Sequence, residues 1–390
     1  MTAYMYYLFR LIFRNSMRHP LRTLLTAVGI IVAITAFGLL RTTVDAWYAG
    51  VEASSSVRLV VRNKNSLTFM LPLHYINKVK GVEGVAEVSH ADWFGGVYIE
   101  KKNFFPQFAV EERTYFNMYP EFVVPPEEMK DFILDRRGVI AGRKIVEEYG
   151  WEIGDQIPIK GTIFPGTWHF VLRGIYHGAT AKIDETQFFF HWKFLNEVSK
   201  HISPDKTDQV GIILVRLQRA EDAPLVAQRI DKMFSNSRAE TLTETEKAFQ
   251  LSFVSMTEAI LLAIKVVSFL VIAIIMAVMA NTMAMTARER KQEYATLKAL
   301  GFPARFIVGL IFGESLLLAF SAGAIGVICI FPTARYVATK FGTLFPIFTV
   351  SMHTVWMAGA AALIVGLVAA LAPAWRAAHI TVSEGMRAVV

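Results

Sequence analysis

The stretch that decides the fold is residues 266–287, VVSFLVIAIIMAVMANTMAMTA, which holds 22 residues and no charged side chain. A helix needs about 20 mostly apolar residues to cross the hydrocarbon core of a bilayer. The whole chain of 390 residues is 54% hydrophobic, against about 45–50% in an average soluble domain. This stretch therefore predicts a membrane-spanning helix.

Three other apolar stretches predict further spans, giving four. The first, TLLTAVGIIVAITAFGLL, lies between Arg22 and Arg41. It is longer than the apolar region of a signal peptide, and a poor cleavage sequence follows it, so we interpret it as a retained span. The predicted segments are an interfacial amphipathic helix over 1–20, spans over 21–47, 251–285, 304–331 and 354–372, an outer domain over 48–250, a cytoplasmic helix over 286–303, a periplasmic loop over 332–353 and a cytoplasmic tail over 373–390.

The distribution of charge sets the predicted direction of the spans. Residues 51–250 hold 25 Lys and Arg against 27 Asp and Glu, so the net positive charge of the chain belongs to its apolar ends. A nucleic-acid-binding protein carries its positive charge on a soluble face, so that class is disfavoured. Lys and Arg concentrate in the short cytoplasmic loops of membrane proteins. The loop after the second span and the N-terminal flank are the basic ones, which predicts cytoplasmic termini.

Four arginines precede the first span: Arg10, Arg14, Arg18 and Arg22. Residues four apart share one face of a helix. We expect this helix to lie in the cytoplasmic membrane interface with its arginines on lipid headgroups. The alternative is an ordinary basic flank that only sets the topology.

The outer domain begins and ends with strand patterns, at 57–61 and 210–215. They predict a small α+β unit built from both ends of the segment, with an inserted second unit over about 100–205. The aromatic run 188–192 fits either a buried strand or a groove for an apolar cargo. The sequence contains no nucleophile elbow and no metal-ligand spacing, so we predict no catalytic residue and no metal site.

The segment after the second span carries the end signals of a helix. Thr286 and Glu289 have the spacing of a capping box, Gly301 suits the position after a helix, and Pro303 cannot continue it. Tyr294 and two leucines lie together on one side of this helix. We therefore predict a cytoplasmic docking element, with a simple connector between spans as the alternative.

Together these stretches resemble the permeases of MacB/FtsX-like ABC transporters, the type VII or mechanotransmission class. The similarity is carried by 18–26 (RHPLRTLLT), 141–157, 279–283 (MANTM), 288–293, 297–303 (LKALGFP), 314–318 (ESLLL) and 373–378 (PAWRAA). The resemblance implies an α-helical membrane protein with four transmembrane helices and a MacB-like α+β periplasmic core domain inserted between spans 1 and 2. It places the chain in the bacterial inner membrane.

The resemblance also implies partners and an activity. A separate ATPase subunit would bind ATP and Mg, because this chain has no phosphate-binding GxxxxGK[ST] motif; the chain itself would hold no cofactor and would not be an enzyme. Movement of the periplasmic domain would drive export or extraction of an apolar or amphiphilic cargo (drug, lipid, lipoprotein or peptide). The alternative is an FtsX-like transducer that regulates an extracytoplasmic cell-wall enzyme. Further implied partners are a second permease in a homodimer or pair, membrane lipid and, in efflux members, a periplasmic adaptor and an outer-membrane channel.

The resemblance assigns the helix after the second span to ATPase coupling. Its predicted coupling residues are Arg288, Glu289, Arg290, Glu293, Tyr294, Leu297, Lys298, Leu300 and Gly301. The polar residues predicted inside the membrane are Glu314, Asn281 and Lys265. An ionisable group within a span indicates function, and Glu314 fits a helix–helix or dimer hydrogen bond, a gating contact or a proton relay.

Overall fold

The computed structural model describes residues 10–12, 14–15, 17–180, 182–341, 345 and 347–381. They form two compact units. The helical unit comprises Met1–Ala46, Glu258–Lys340 and Phe348–Val390, and the α/β unit comprises Trp47–Thr257 and Phe341–Ile347.

The described residues contain twelve helices of four residues or more. They are α1 (Pro20–Ala53), α2 (Tyr75–Lys80), α3 (Tyr115–Met118), α4 (Pro126–Leu134), α5 (Arg143–Tyr149), α6 (Trp192–Ile202), α7 (Ala223–Phe234), α8 (Glu246–Met256), α9 (Glu258–Glu289), α10 (Lys291–Ala299), α11 (Ala304–Phe341) and α12 (Met352–Ala378). Short 3-10 turns lie at Pro204–Lys206 and Ala220–Asp222.

The strands all belong to the α/β unit. They are β1 (Arg58–Asn63), β2 (Leu71–Pro72), β3 (Val85–Trp93), β4 (Gly96–Tyr98), β5 (Gln107–Val110), β6 (Phe122–Val123), β7 (Gly138–Gly142), β8 (Gln156–Gly161), β9 (Gly166–Gly178), β10 (Phe188–His191), β11 (Gln209–Val210), β12 (Ile212–Leu217) and β13 (Thr241–Thr245).

Four helices, α1, α9, α11 and α12, are long and apolar enough to cross a membrane, which confirms the predicted four spans. Their ends differ from the prediction. α11 passes through Pro332 and α12 through Pro373, so the predicted ends at these prolines are wrong. Membrane helices tolerate an internal proline because neighbouring groups and small local adjustments satisfy the freed carbonyl. The predicted second span also began too early, since α8 and α9 are separate helices that break at Thr257.

Small residues allow the spans to pack closely. A Cβ atom at Gly366 of α12 would lie only 2.6 Å from the Cβ of Ala319 in α11, so only glycine permits this approach. The Ser315 hydroxyl donates a hydrogen bond of 2.6 Å to the Gly366 carbonyl across the same interface. Membrane helices associate through such close backbone contacts and interhelical hydrogen bonds.

A carboxylate ties α1 to the start of α12. Asp45 of α1 accepts hydrogen bonds from the hydroxyls of Ser351 (2.9 Å) and Thr354 (2.8 Å). Ser351 is also the N-cap of α12 and accepts from the Thr354 N–H at 3.1 Å. A negative charge is favourable at a helix N-terminus, so Asp45 fixes this end of the helical unit.

The α/β unit is built on one sheet of eleven strands, in the order β13-β1-β12-β3-β5-β10-β7-β9-β8-β4 with β6 added on β9. β1 pairs with β12 and β13, so both ends of the segment share this sheet. β3 then pairs with β5, which joins the predicted inserted unit to the same sheet. The predicted division into two subdomains therefore differs from the structure, where residues 47–257 belong to one compact unit.

The aromatic run lies in the core. β10 is a central strand between β5 and β7, and Phe188, Phe189 and Phe190 are fully buried. Phe188 and Phe190 join the larger core cluster, whereas Phe189 joins the cluster on the opposite face of the sheet. A strand covered on both faces reads as a continuous apolar run. The groove interpretation of this run is therefore wrong.

Asp92, at the end of β3, is buried and ionisable. Its carboxylate accepts hydrogen bonds from Trp192 Nε1 (2.7 Å) and from the backbone N–H of Gly211. Gly211 separates β11 from β12, so the predicted strand 210–215 is broken at this contact. Burial raises the pKa of Asp92 to about 7, although both hydrogen bonds lower it.

We expect the free energy of unfolding to fall as the pH rises from 5 to 7. Native Asp92 holds its proton up to about pH 7, whereas an aspartate in the unfolded chain releases its proton at about pH 3.9. The native state therefore binds more protons in this range, and its stability decreases with pH by up to a few kcal/mol. Asp92→Asn should flatten the pH dependence of thermal unfolding in detergent. Exposed Asp205→Asn should keep it, and an unchanged slope in Asp92→Asn would contradict this account.

Candidate functional site

The candidate site is the corner between α9 and α10, residues 286–303. α9 continues to Glu289, Arg290 forms the turn, and α10 begins at Lys291. The predicted capping box is wrong, because Thr286 lies inside α9 and its hydroxyl donates to the Thr282 carbonyl at 3.0 Å. The predicted end is correct: Gly301 has a φ of +88°, the left-handed conformation that commonly follows a helix.

Arg290 is the centre of the corner. Arg290 is 7% exposed, and its guanidinium contacts the carboxylate of Glu314 in α11, a residue that is 4% exposed. Its Nε donates to Glu293 at 3.0 Å, and its Cζ lies 5.2 Å from the ring centroid of Tyr294. Burial lowers the pKa of Arg290. The charge of Glu314 and the hydrogen bonds to Glu314 and Glu293 outweigh burial and hold this pKa above its usual value. Glu314 therefore joins α11 to the turn between α9 and α10 within this chain.

Arg18, just before α1, and Arg22, in its first turn, also reach the corner. Arg22 donates two hydrogen bonds of 2.8 Å to Glu289, and Arg18 pairs with Glu293. His19 Nε2 lies 3.4 Å from the Glu289 carboxylate. Burial acts against the charge of Glu293, but Arg18 and Arg290 hold its pKa below its usual value.

Arg18 and Arg22 thus form ion pairs within the chain, and the headgroup contacts stay a prediction. Carboxylates on the corner lie within their reach, and a bidentate Arg–carboxylate contact is geometrically specific. Arg10 and Arg14 are exposed. Residues 1–9, 13 and 16, which make up much of the predicted interfacial helix, lie outside the described residues.

Two predicted coupling residues hold α10 in place. Tyr294 is 1% exposed and packs against apolar residues of α11 and α12, including Ile307, Ile311 and Ala374. Lys298 Nζ donates to carbonyls at the end of α12, at 2.7 Å to Ala378, and just beyond it, at 2.8 Å to Ile380. The prediction that Tyr294 lies on the docking face is wrong, because its ring fills the space between α10 and the spans.

The opposite side of α10 is open. Its exposed residues are Gln292, Thr296, Ala299 and Leu300, which we call the exposed stripe. These positions follow helical spacing and so form one face. Leu300 is 71% exposed, and Leu297 beside the stripe is half-buried. The sequence prediction missed Gln292 and Thr296 because it followed the apolar side of the helix. Helical spacing from Tyr294 places both residues on the opposite face, and this signal would have identified them.

The other predicted polar positions lie along α9. Asn281 is exposed and Lys265 is half-buried, and Arg288 is exposed one turn before α10. Among the residues that the structure describes, no group of three or more His, Cys, Asp and Glu side chains could hold a metal ion.

Residues 265–382 match the family described as FtsX-like permease C-terminal. These residues carry an FtsX-like permease domain. The matched region contains most of α9 and all of α10, α11 and α12, and so the whole corner. No curated protein matches the sequence.

Solved structures similar to this chain include three separate domains. The extracellular domain of the noncanonic ABC-type transporter YknZ from Gram-positive bacteria is 13% identical, with 48% of this chain and 100% of that chain covered and a TM-score of 0.36. The periplasmic region of MacB from Actinobacillus actinomycetemcomitans is 8% identical, with 52% of this chain and 95% of that chain covered and a TM-score of 0.37. A permease domain from Porphyromonas gingivalis is 9% identical, with 49% of this chain and 90% of that chain covered and a TM-score of 0.34.

We expect Glu314→Ala to destabilise the protein strongly. It leaves Arg290 buried beside one partner, and breaking a buried ion pair costs about 3–5 kcal/mol. Glu293→Ala should cost less, about 1 kcal/mol, because a more exposed carboxylate contributes little. The measurement is thermal unfolding of the full chain in detergent.

The double variant Arg290→Met/Glu314→Leu is the control for this prediction. Replacing both charges with apolar groups removes the unpaired charge, so the double variant should be more stable than Glu314→Ala. Equal unfolding temperatures for Glu314→Ala and Glu293→Ala would contradict the central place of this pair.

Proposed function

We propose that this FtsX-like permease is the membrane subunit of an ABC transporter and is driven by an ATPase on a separate chain. The observation that carries the proposal is a helix with two different faces. One face of α10 is fixed to the spans, and the exposed stripe on the other face is free to bind a partner. The ATPase would bind ATP and Mg, and the permease would contribute no catalytic group.

The contacts of the corner support transmission of force to all four spans. Arg18 and Arg22 link it to the start of α1, and Glu314 links it to α11. Lys298 links it to the end of α12, and α9 leads directly into it. Packed interfaces of this kind change between discrete arrangements instead of deforming gradually. A movement of the ATPase against the exposed stripe would therefore shift the spans together.

The chain itself connects these spans to the α/β unit. α1 continues to Ala53, and α9 follows α8 after a single residue, Thr257. The proposed consequence is movement of the α/β unit, which would drive export or extraction of an apolar or amphiphilic cargo. The basic flanks support cytoplasmic termini and a periplasmic α/β unit in a bacterial inner membrane. A homodimer or a pair of permeases, with an adaptor and an outer-membrane channel, belongs to the same proposal.

The exposed stripe gives a direct test of ATPase coupling. Leu300→Asp should abolish co-purification of the ATPase from native membranes and lower permease-dependent ATP hydrolysis at least tenfold, because truncating an interface hot spot costs about 2 kcal/mol or more. Leu134→Asp is the matched control, since Leu134 is similarly exposed, at 75%, but lies in α4 of the α/β unit. Unchanged co-purification and ATP hydrolysis in Leu300→Asp would refute docking at this face.

The orientation is tested by labelling introduced cysteines. In a Cys329→Ala background, we expect a membrane-impermeant maleimide to label Ser56→Cys in intact spheroplasts. Thr296→Cys, on the exposed stripe, should be labelled only after permeabilisation. Both positions are exposed, so accessibility within the fold is matched. The reverse pattern would overturn the proposed topology.

A further inference from the structure

A basic pocket lies between the end of α9 and the end of α12. It has a volume of about 260 Å³ and is lined by three cationic side chains, Arg288, Lys291 and Arg376. The rest of its lining is apolar and includes Ala287, Pro373 and Ile380. A cavity with apolar walls and a few polar groups is the usual form of a ligand site.

The three cations have no carboxylate partner among the described residues. Among the described residues, no ion pair involves Arg288, Lys291 or Arg376. Arg22 and Arg290, by contrast, are each paired with a glutamate. Like charges that line one cavity repel each other, and a bound anion would relieve this repulsion. Arginine also contacts phosphate oxygens bidentately.

An independent feature indicates the level of the pocket in the membrane. Trp375, next to Arg376 on α12, is 69% exposed, and its ring centroid lies 5.0 Å from that of His379. Tryptophan concentrates where the bilayer meets water, because its ring is apolar and its N–H is polar. The pocket therefore lies at headgroup level, at the end of two spans.

We propose that this pocket binds the phosphate headgroup of an anionic phospholipid. The exposed Trp375 beside the pocket favours a lipid over a free phosphate, because tryptophan concentrates at the bilayer interface. Basic pockets between membrane helices on the cytoplasmic side suit such headgroups. This inference uses the orientation in the proposed function but does not depend on ATPase docking.

A lipid in this position would connect α9 to α12 beside the corner. Arg288 belongs to α9, Lys291 begins α10, and Arg376 belongs to the last turn of α12. One phosphate contacting all three would hold these helices together through charge. The stability of the corner would then depend on the lipid composition of the membrane.

The test measures lipid binding to the full-length permease in mild detergent, without the ATPase. Native mass spectrometry should show one saturable phosphatidylglycerol molecule per chain and at least tenfold weaker binding of phosphatidylcholine. Arg288→Gln/Lys291→Gln/Arg376→Gln should weaken phosphatidylglycerol binding at least tenfold. Equal binding of the two lipids, or no loss in the triple variant, would overturn the proposal.

Single variants provide a matched pair and guard against unfolding of the triple variant. Arg376→Gln should weaken binding several-fold, whereas Arg305→Gln should leave it unchanged, because Arg305 is also an exposed arginine but lies outside the pocket. Equal losses in both variants would indicate diffuse attraction and refute a specific site. Displacement of the lipid by millimolar inorganic phosphate would show a site for the free anion and would also refute the lipid proposal.

Because no ATPase is present, failure of docking at the exposed stripe would leave this result intact. Loss of lipid binding would likewise leave the coupling experiment unaffected. Inverted labelling of Ser56→Cys and Thr296→Cys would place the pocket in the other leaflet. That result would contradict the proposed orientation, whereas the lipid-binding measurement tests the pocket itself.

Discussion

The contact between Arg290 and Glu314 is the constraint on which the corner depends. Removing two charges from water costs several kcal/mol per ion, and the cost is compensated only where the charges meet with good geometry. The chain therefore turns at Arg290, which brings the end of α9 against α11. Tyr294 then fills the space beside the spans, and Lys298 reaches the carbonyls at the end of α12. The ion pair positions the start of α10, and the contacts of Tyr294 and Lys298 hold the rest of this helix against the spans.

This arrangement divides the charged residues of one short segment into two groups. Arg290, Glu289 and Glu293 are satisfied within the chain and make the corner rigid. Arg288 and Lys291 face a pocket and have no carboxylate partner among the described residues. A helix packed on both sides would offer no surface to a partner, and an unattached helix would transmit no movement. α10 avoids both conditions because its polar contacts and its exposed stripe lie on different faces.

Much of the helical unit could be predicted because its signals are local. A run of uncharged residues such as 266–287 must span or be buried, and the basic flanks give its direction without reference to distant residues. Gly301 marked the end of the corner for the same reason, since only its own backbone conformation is involved. The capping box at Thr286 was misleading because a helix end depends on what the following residues contact, here the ion pair of Arg290.

The sequence by itself determined four spans, the predicted orientation of the basic residues and an α+β domain between spans 1 and 2, because hydrophobic length and charge act over a few neighbouring residues. Only the tertiary structure decided that Glu314 meets Arg290, that Arg18 and Arg22 bind glutamates, and that Tyr294 is buried while Leu300 is exposed. The ion pairs join residues separated by more than twenty positions. The difference between Tyr294 and Leu300 depends on what packs against each side of α10. Periodicity shows that a helix has two faces, but only its neighbours in space determine which face is covered.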